Sequence, residues 1–193
     1  EQIEMPAPSL QGVHQVQNAS LALAAMKMAT PDAFTPAAFN GISQPKWPGR
    51  IQELQTGKLK NVLGSGHPLW LDGAHNAHGA AALVTTLKSL SQQKWIVIFG
   101  ALNTRPPEAF FTQIKPVAST IHTLEISGQP AALSAQELAA AAMSANIPAE
   151  PATCLAEALA RIKQTALPNT PVIICGSLYL AGQVLEENQT LPD

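Results

Sequence analysis

Hydrophobic positions along the chain follow two different spacings. Short runs rich in β-branched or bulky residues, Leu69 to Asp72, Trp95 to Gly100, Thr120 to Ile126 and Val172 to Cys175, read as strands. Between and after them lie longer Ala- and Leu-rich stretches that read as helices, at 77–90, 107–114, 135–145, 156–165 and 179–185. This βαβα order predicts an α/β fold with a mostly parallel sheet covered by helices on both faces. Ile96 to Phe99 and Val172 to Cys175 are apolar without interruption, so they read as the central strands. Ser134 followed by Glu137 has capping-box spacing and marks one helix start.

Ahead of this alternation, Val16 to Ala29 is rich in Ala, Leu and Met, lacks Gly and Pro, and stops at Thr30-Pro31. It predicts a buried helix. Residues 30–48 then carry Pro31, Pro36, Pro45 and Pro48 around one short apolar turn, Ala37 to Ile42, as a linker does. A boundary near residue 44 follows, with 1–44 as the end of a preceding domain plus linker and 45–193 as a second domain. Residues 56–68 read as an extended hairpin loop. No internal repeat is found, and the Ala-rich stretch 138–145 is helix rather than low complexity.

Composition narrows the possibilities. At 193 residues, 46% hydrophobic and 12% charged, the chain can bury a sizeable core and carries no long disordered charge tract. A net charge of -2 offers no footprint for nucleic acid or an anionic membrane. Cys154 and Cys175 form neither a CxxC pair nor a disulfide framework, which fits a reducing cytoplasm. The start, Glu1-Gln2-Ile3-Glu4, lacks the basic and apolar regions of a signal peptide, and no apolar run is long enough to span a bilayer. It also lacks an initiator Met and leads into a helix-like segment, which suggests a piece of a longer protein.

In open α/β sheets ligands bind at the carboxyl ends of strands, so chemistry is sought in those loops. Asp72-Gly73-Ala74-His75-Asn76 packs polar groups into a strand-to-helix turn whose free backbone N–H groups suit an anion. Asp72 before Gly also reads as a turn residue, and Asn76 as a helix cap. Cys175-Gly176-Ser177 opens a second such turn, where Ser177 could grip a carboxylate or simply cap the following helix. Trp47-Pro48-Gly49-Arg50 is a rigid turn aiming one guanidinium, the side chain best shaped for phosphate, although a lone Arg is commonly a solvated surface group. Gly64-Ser65-Gly66-His67-Pro68-Leu69 lacks the last glycine of a dinucleotide fingerprint and precedes its strand, so NAD binding is rejected. No G-x-x-x-x-G-K-[ST] phosphate loop occurs. His75 and His78, with His67 nearby, lack the carboxylate company of a metal site.

In order along the chain, Gly12-Val13-His14-Gln15 with Asn18-Ala19, Trp47-Pro48-Gly49-Arg50, Leu71-Asp72-Gly73-Ala74-His75-Asn76 and Cys175-Gly176-Ser177-Leu178-Tyr179-Leu180-Ala181-Gly182 resemble motifs of one family. It is the folylpolyglutamate synthase/dihydrofolate synthase family of the Mur ligase superfamily. The resemblance implies that residues 1–44 end a central ATP-binding domain. It implies that 45–193 form a C-terminal Rossmann-like domain that closes over ATP against an N-terminal P-loop domain. It puts Asn18 near adenine, Arg50 on the phosphates, Asp72 on the nucleotide ribose, His75 in the same cleft and Ser177 near the incoming L-glutamate. Arg50 and His75 would act in catalysis. The implied reaction phosphorylates a dihydropteroate or folate carboxylate, and the glutamate amine then displaces phosphate. Mg2+ ligands are expected outside this chain, so the chain alone is expected to be inactive.

Two departures stand out. Ala77 occupies a position where the family usually has Pro. Asn103-Thr104-Arg105-Pro106-Pro107 replaces an acidic-Lys-Asp triplet, with Arg105 a candidate substitute for the lysine charge. Alternatives are another Mur-type peptide ligase, a free-standing Rossmann-like binding module, and a Ser177/His75/Asp72 hydrolase. For the last, no G-x-S-x-G elbow is present.

Overall fold

The computed structural model describes residues 6–10, 12–45 and 47–191, apart from the side chains of Val13 and His14. Helix α1 (Val13–Ala29) comes first, followed by a 3-10 turn (Pro31–Ala33), the short α2 (Pro36–Asn40) and a second 3-10 turn (Gly41–Ser43). Strand and helix then alternate: β1 (Gln52–Glu53), α3 (Lys58–Leu63), β2 (Leu69–Leu71), α4 (Ala77–Leu90), β3 (Trp95–Phe99) and α5 (Glu108–Ile114). The second half adds β4 (Ala118–Thr123), α6 (Ala135–Ser144), β5 (Ala149–Pro151), α7 (Leu155–Thr165), β6 (Val172–Cys175) and α8 (Leu178–Glu187).

Among the described residues the strands form one sheet in the order β1-β2-β6-β3-β4-β5. Every pairing is parallel except β1 with β2. Side chains of β3 alternate between two cores because successive residues of a strand face opposite sides. Trp95, Val97 and Phe99 pack with Leu83 and Leu87 of α4, Phe110 and Phe111 of α5, and Leu138 of α6. Ile96 and Ile98 join Leu59 and Leu63 of α3, Leu155 and Leu159 of α7, and Val184 of α8. Each fully buried aliphatic side chain of this kind stabilises the fold by roughly 2 kcal/mol. The expected sheet, covered on both faces, is therefore present. The Ser134–Glu137 capping box forms in both directions.

Several expectations need correction. Residues 56–68 are not an extended hairpin loop, because they contain α3. Its start has no capping side chain of its own: Gly57 holds the cap position. The missing acceptor comes from the far end of the domain, where Asn188 Oδ1 accepts from the backbone N–H of Leu59 (2.9 Å) and of Lys60 (3.2 Å). Nor is α1 buried throughout. Val16, Leu21 and Met28 are exposed, and Leu23 is its one buried hydrophobic residue among those described. Composition reports that a helix is apolar all round, whereas burial needs neighbours, and α4 covers only one strip of α1. Strands β1 and β5 were not expected. β5 is an edge strand whose Glu150 and Pro151 carry no strand signal, and an edge is where a proline is tolerated. β4 ends at Thr123 rather than continuing to Ile126.

His122 on β4 is 4% exposed and its Nδ1 has no hydrogen-bond partner. Burial pushes this imidazole below its ordinary value, Glu150 opposes the shift, and Arg161 adds to it. An unfolded histidine titrates near about 6.5, so below that pH the unfolded chain binds a proton that the folded chain refuses. Stability should hold above that value and fall as pH drops toward the lower folded pKa. Thermal melts at pH 7.5 and 5.5 should show the loss, and His122→Leu should show a smaller one. Equal losses in the two proteins would clear His122 of responsibility.

Candidate functional site

Three segments converge at the carboxyl end of the sheet. β2 and β6 are parallel neighbours, so the loops that follow them emerge side by side. Gly176 N–H donates to the Ala74 carbonyl across the gap (2.8 Å). Gly176 is required there: its φ is +115°, and a Cβ would lie 2.5 Å from the Gly100 carbonyl oxygen. The third segment, Trp47 to Arg50, is joined to the β2–α4 loop by Gly73 N–H donating to the Gly49 carbonyl (2.7 Å).

Within the β2–α4 loop, Asp72 is buried and its carboxylate accepts two backbone hydrogen bonds, from Ala74 N–H (2.7 Å) and Ile51 N–H (2.9 Å). The His75 ring Nδ1 lies 2.9 Å from the Gly73 carbonyl. A carbonyl oxygen can only accept, so Nδ1 carries the proton and Nε2 is left for other contacts. Asn76 caps α4, its Oδ1 accepting from Gly79 N–H (2.8 Å). Ser177 caps α8, its Oγ accepting from Tyr179 N–H (3.1 Å). The plainer readings of Asn76 and Ser177 as helix caps thus hold, and neither excludes a ligand at the same helix start. Burial pushes the Cys175 thiol well above its ordinary value, with the Asp72 charge adding to the effect, so this thiol stays protonated and inert.

Two cavities flank the β2–α4 loop. The larger, about 730 Å3, is lined by Asn18, Trp47, Arg50, Ile51, Asp72 and His75 among others. The smaller, about 600 Å3, has Arg105, Ser177 and Tyr179 in its wall over an apolar floor that includes Phe99 and Phe110. His75, Asn76 and His78 line both. Asn18, Arg50, Asp72 and His75 are therefore brought together, whereas Ser177 lies in the adjoining cavity and meets that group only through the shared wall. Asn18 is exposed on α1, and its amide Nδ2 donates to Gln15 Oε1 (3.1 Å).

His78 and Ile51 are wall residues that the sequence did not single out for these cavities. His78 lies in the first turn of α4, three residues after His75, a signal that was present. Ile51 adopts φ +44° against the preference of a β-branched residue, and nothing local announces that. The larger cavity, with one guanidinium and polar groups along a mostly apolar wall, has the size and chemistry to take a nucleotide. Among the described residues, no group of three or more His, Cys, Asp or Glu side chains could hold a metal ion, so the donors here do not themselves make a Mg2+ site. No helix among them is long and apolar enough to cross a membrane.

Comparison with known proteins bears on these cavities. The family described as Mur ligase, glutamate ligase domain matches residues 59–178. A folylpolyglutamate synthase of Lacticaseibacillus casei is 30% identical over 186 residues, which are 94% of this chain and 39% of that protein. The chain thus spans about two fifths of that relative. A Mycobacterium tuberculosis folylpolyglutamate synthase solved with ADP and AMPPCP superposes with a TM-score of 0.79 at 25% identity, covering 99% of this chain and 43% of the other. A bifunctional folylpolyglutamate synthase/dihydrofolate synthase solved with Mn, AMPPNP and L-glutamate gives 0.75 at 23% identity, covering 96% and 41%, and shows the shared fold. The sheet, the convergent loops and these matches agree: the chain belongs to the Mur ligase glutamate ligase domain family and resembles the C-terminal portion of folylpolyglutamate synthase/dihydrofolate synthase proteins.

Proposed function

We propose that this chain is the C-terminal part of an ATP-dependent amide ligase that joins L-glutamate to dihydropteroate, to folyl-polyglutamates, or to both. The observation that carries the reading is the pair of adjoining cavities, with Arg50 in one, Ser177 in the other, and His75 in the wall between them. In this reading the larger cavity faces the nucleotide: Asn18 lies toward adenine, Arg50 toward the phosphates, and Asp72 on the nucleotide side. The smaller receives glutamate beside Ser177. ATP supplies the phosphoryl group that activates the acceptor carboxylate as an acyl phosphate. The glutamate amine then attacks the acyl carbon and inorganic phosphate leaves.

This chain's residues have defined tasks in that sequence. The Arg50 guanidinium stabilises negative charge, His75 offers Nε2 at the boundary between the two substrates, and the apolar floor of Phe99 and Phe110 keeps water from the acyl phosphate. Mg2+ ligands and the phosphate-cradling loop belong to a part of the enzyme outside this chain. Residues 1–44 close a central ATP-binding domain, whose remaining surface would cover the exposed apolar side chains of α1. Residues 45–193 form the glutamate ligase domain, and the enzyme works in the cytoplasm on small molecules, without nucleic acid or membrane.

The test is a ligation assay. The enzyme carrying this chain should add L-glutamate to dihydropteroate or a reduced folate, releasing ADP and phosphate in equal amounts. The 193-residue chain alone should fold, yet turn over no ATP. Glutamate-independent ATP turnover by the isolated chain, or a whole enzyme that ignores folates but joins another acid to an amino acid, would sink the proposal.

A further inference from the structure

Arg50 sits between two residues of left-handed backbone, Gly49 at φ +69° and Ile51 at φ +44°. Glycine reaches that region freely, but isoleucine is crowded there by its branched Cβ, so the turn persists only if its surroundings hold it. Two things hold Ile51. Its side chain is 6% exposed, packed into the core shared by α4, α5 and α6, and its N–H donates to Asp72 Oδ2 (2.9 Å). The other carboxylate oxygen is anchored on Ala74 N–H (2.7 Å). Around this bond, Gly49 N–H donates to Gln52 Oε1 (2.9 Å), and Gln52 pairs with Leu71 in the sheet. Gly73 N–H donates to the Gly49 carbonyl (2.7 Å), which ties the β2–α4 loop to the turn.

We infer that Asp72 is a positioning residue for Arg50: through the Ile51 N–H its carboxylate holds the left-handed turn that delivers the guanidinium to the wall of the larger cavity. The inference rests on the proposal that Arg50 faces phosphate, and it differs from a role for Asp72 as a ribose ligand. Asparagine cannot replace Asp72, because with one acceptor oxygen it turns an NH2 group toward either Ile51 N–H or Ala74 N–H. The turn then relaxes, and Arg50 leaves its place without having been altered itself.

The experiment measures binding of two probes to the chain by titration calorimetry: inorganic tripolyphosphate, which has no ribose, and adenosine, which has no phosphate. Asp72→Asn should weaken tripolyphosphate about tenfold, as Arg50→Ala does, and leave adenosine unchanged. The double variant should bind tripolyphosphate no more weakly than either single one, since both act through one guanidinium. Weakened adenosine binding with tripolyphosphate unaffected, or additive losses in the double variant, would overturn the inference in favour of direct ribose contact. If Arg50→Ala leaves tripolyphosphate binding unchanged, or the unmutated chain does not bind it, the phosphate reading of Arg50 fails instead. Should Asp72→Asn not fold, amide hydrogen exchange in the unmutated chain decides: Ile51 must exchange slowly, and free exchange would overturn the role.

Discussion

Arg50→Ala should slow the enzyme that carries this chain about a hundredfold, a loss of roughly 3 kcal/mol of transition-state stabilisation. Its unfolding free energy should change by less than about 0.5 kcal/mol. The asymmetry follows from the position of the side chain. Arg50 is half-buried in the wall of the larger cavity, and its guanidinium has no ion-pair partner among the described residues. It therefore contributes little to folding and most when charge moves on a phosphoryl group. Arg50→Lys should recover only part of the rate, because an ammonium cannot make the paired contact of a guanidinium. Steady-state kinetics beside urea denaturation separate the two effects. Unchanged turnover would return Arg50 to the role of an ordinary surface residue.

The largest expected loss of stability is at Asn188. This side chain is fully buried and satisfied at both ends: Oδ1 accepts from Leu59 and Lys60 N–H, while Nδ2 donates to the Thr56 carbonyl (2.9 Å) and Thr190 Oγ1 (3.0 Å). Asn188→Ala removes these bonds and strands the buried Leu59 N–H without an acceptor. The four lost hydrogen bonds at about 1 kcal/mol each already give a destabilisation of about 4 kcal/mol, to which the stranded donor adds. For a chain of this size that corresponds to a fall of about 10 °C in melting temperature. Thr190→Val removes one contact and should cost about 1 kcal/mol by the same reasoning. A loss under about 1 kcal/mol for Asn188→Ala would mean that water enters and replaces the side chain.

Asn188 also explains a part of the fold that could not be read locally. Helix α3 lacks the local capping signal from which helix starts are recognised, because the residue that supplies it follows 129 positions later. By contrast, Ser134 and Glu137 cap α6 within its own first turn, and that helix was legible. The central strands were legible for a similar reason, since β3 and β6 are buried on both faces and their composition shows it. Strand order was not, because pairing β6 with both β2 and β3 depends on contacts between distant segments. In the candidate site, the turns carrying Asp72, His75 and Ser177 could be found from strand–loop–helix chemistry. The division into two cavities and the left-handed Ile51 could not, because both arise from the packing of one loop on another.

The placement of β6 also governs how the domain can be completed during synthesis. β2 and β3 are not paired, because Val172–Cys175 lies between them, and that strand is the last of the sheet to leave the ribosome. Until then the nascent chain can hold at most two half-sheets, β1–β2 and β3–β4–β5, each presenting an open edge of unpaired backbone groups. Such edges invite pairing with other chains, and the exposure lasts until the keystone strand inserts. A stalled ribosome or a proteolytic cut before Val172 would therefore leave both halves of the sheet without their common seam, and the damage would spread far beyond the residues lost.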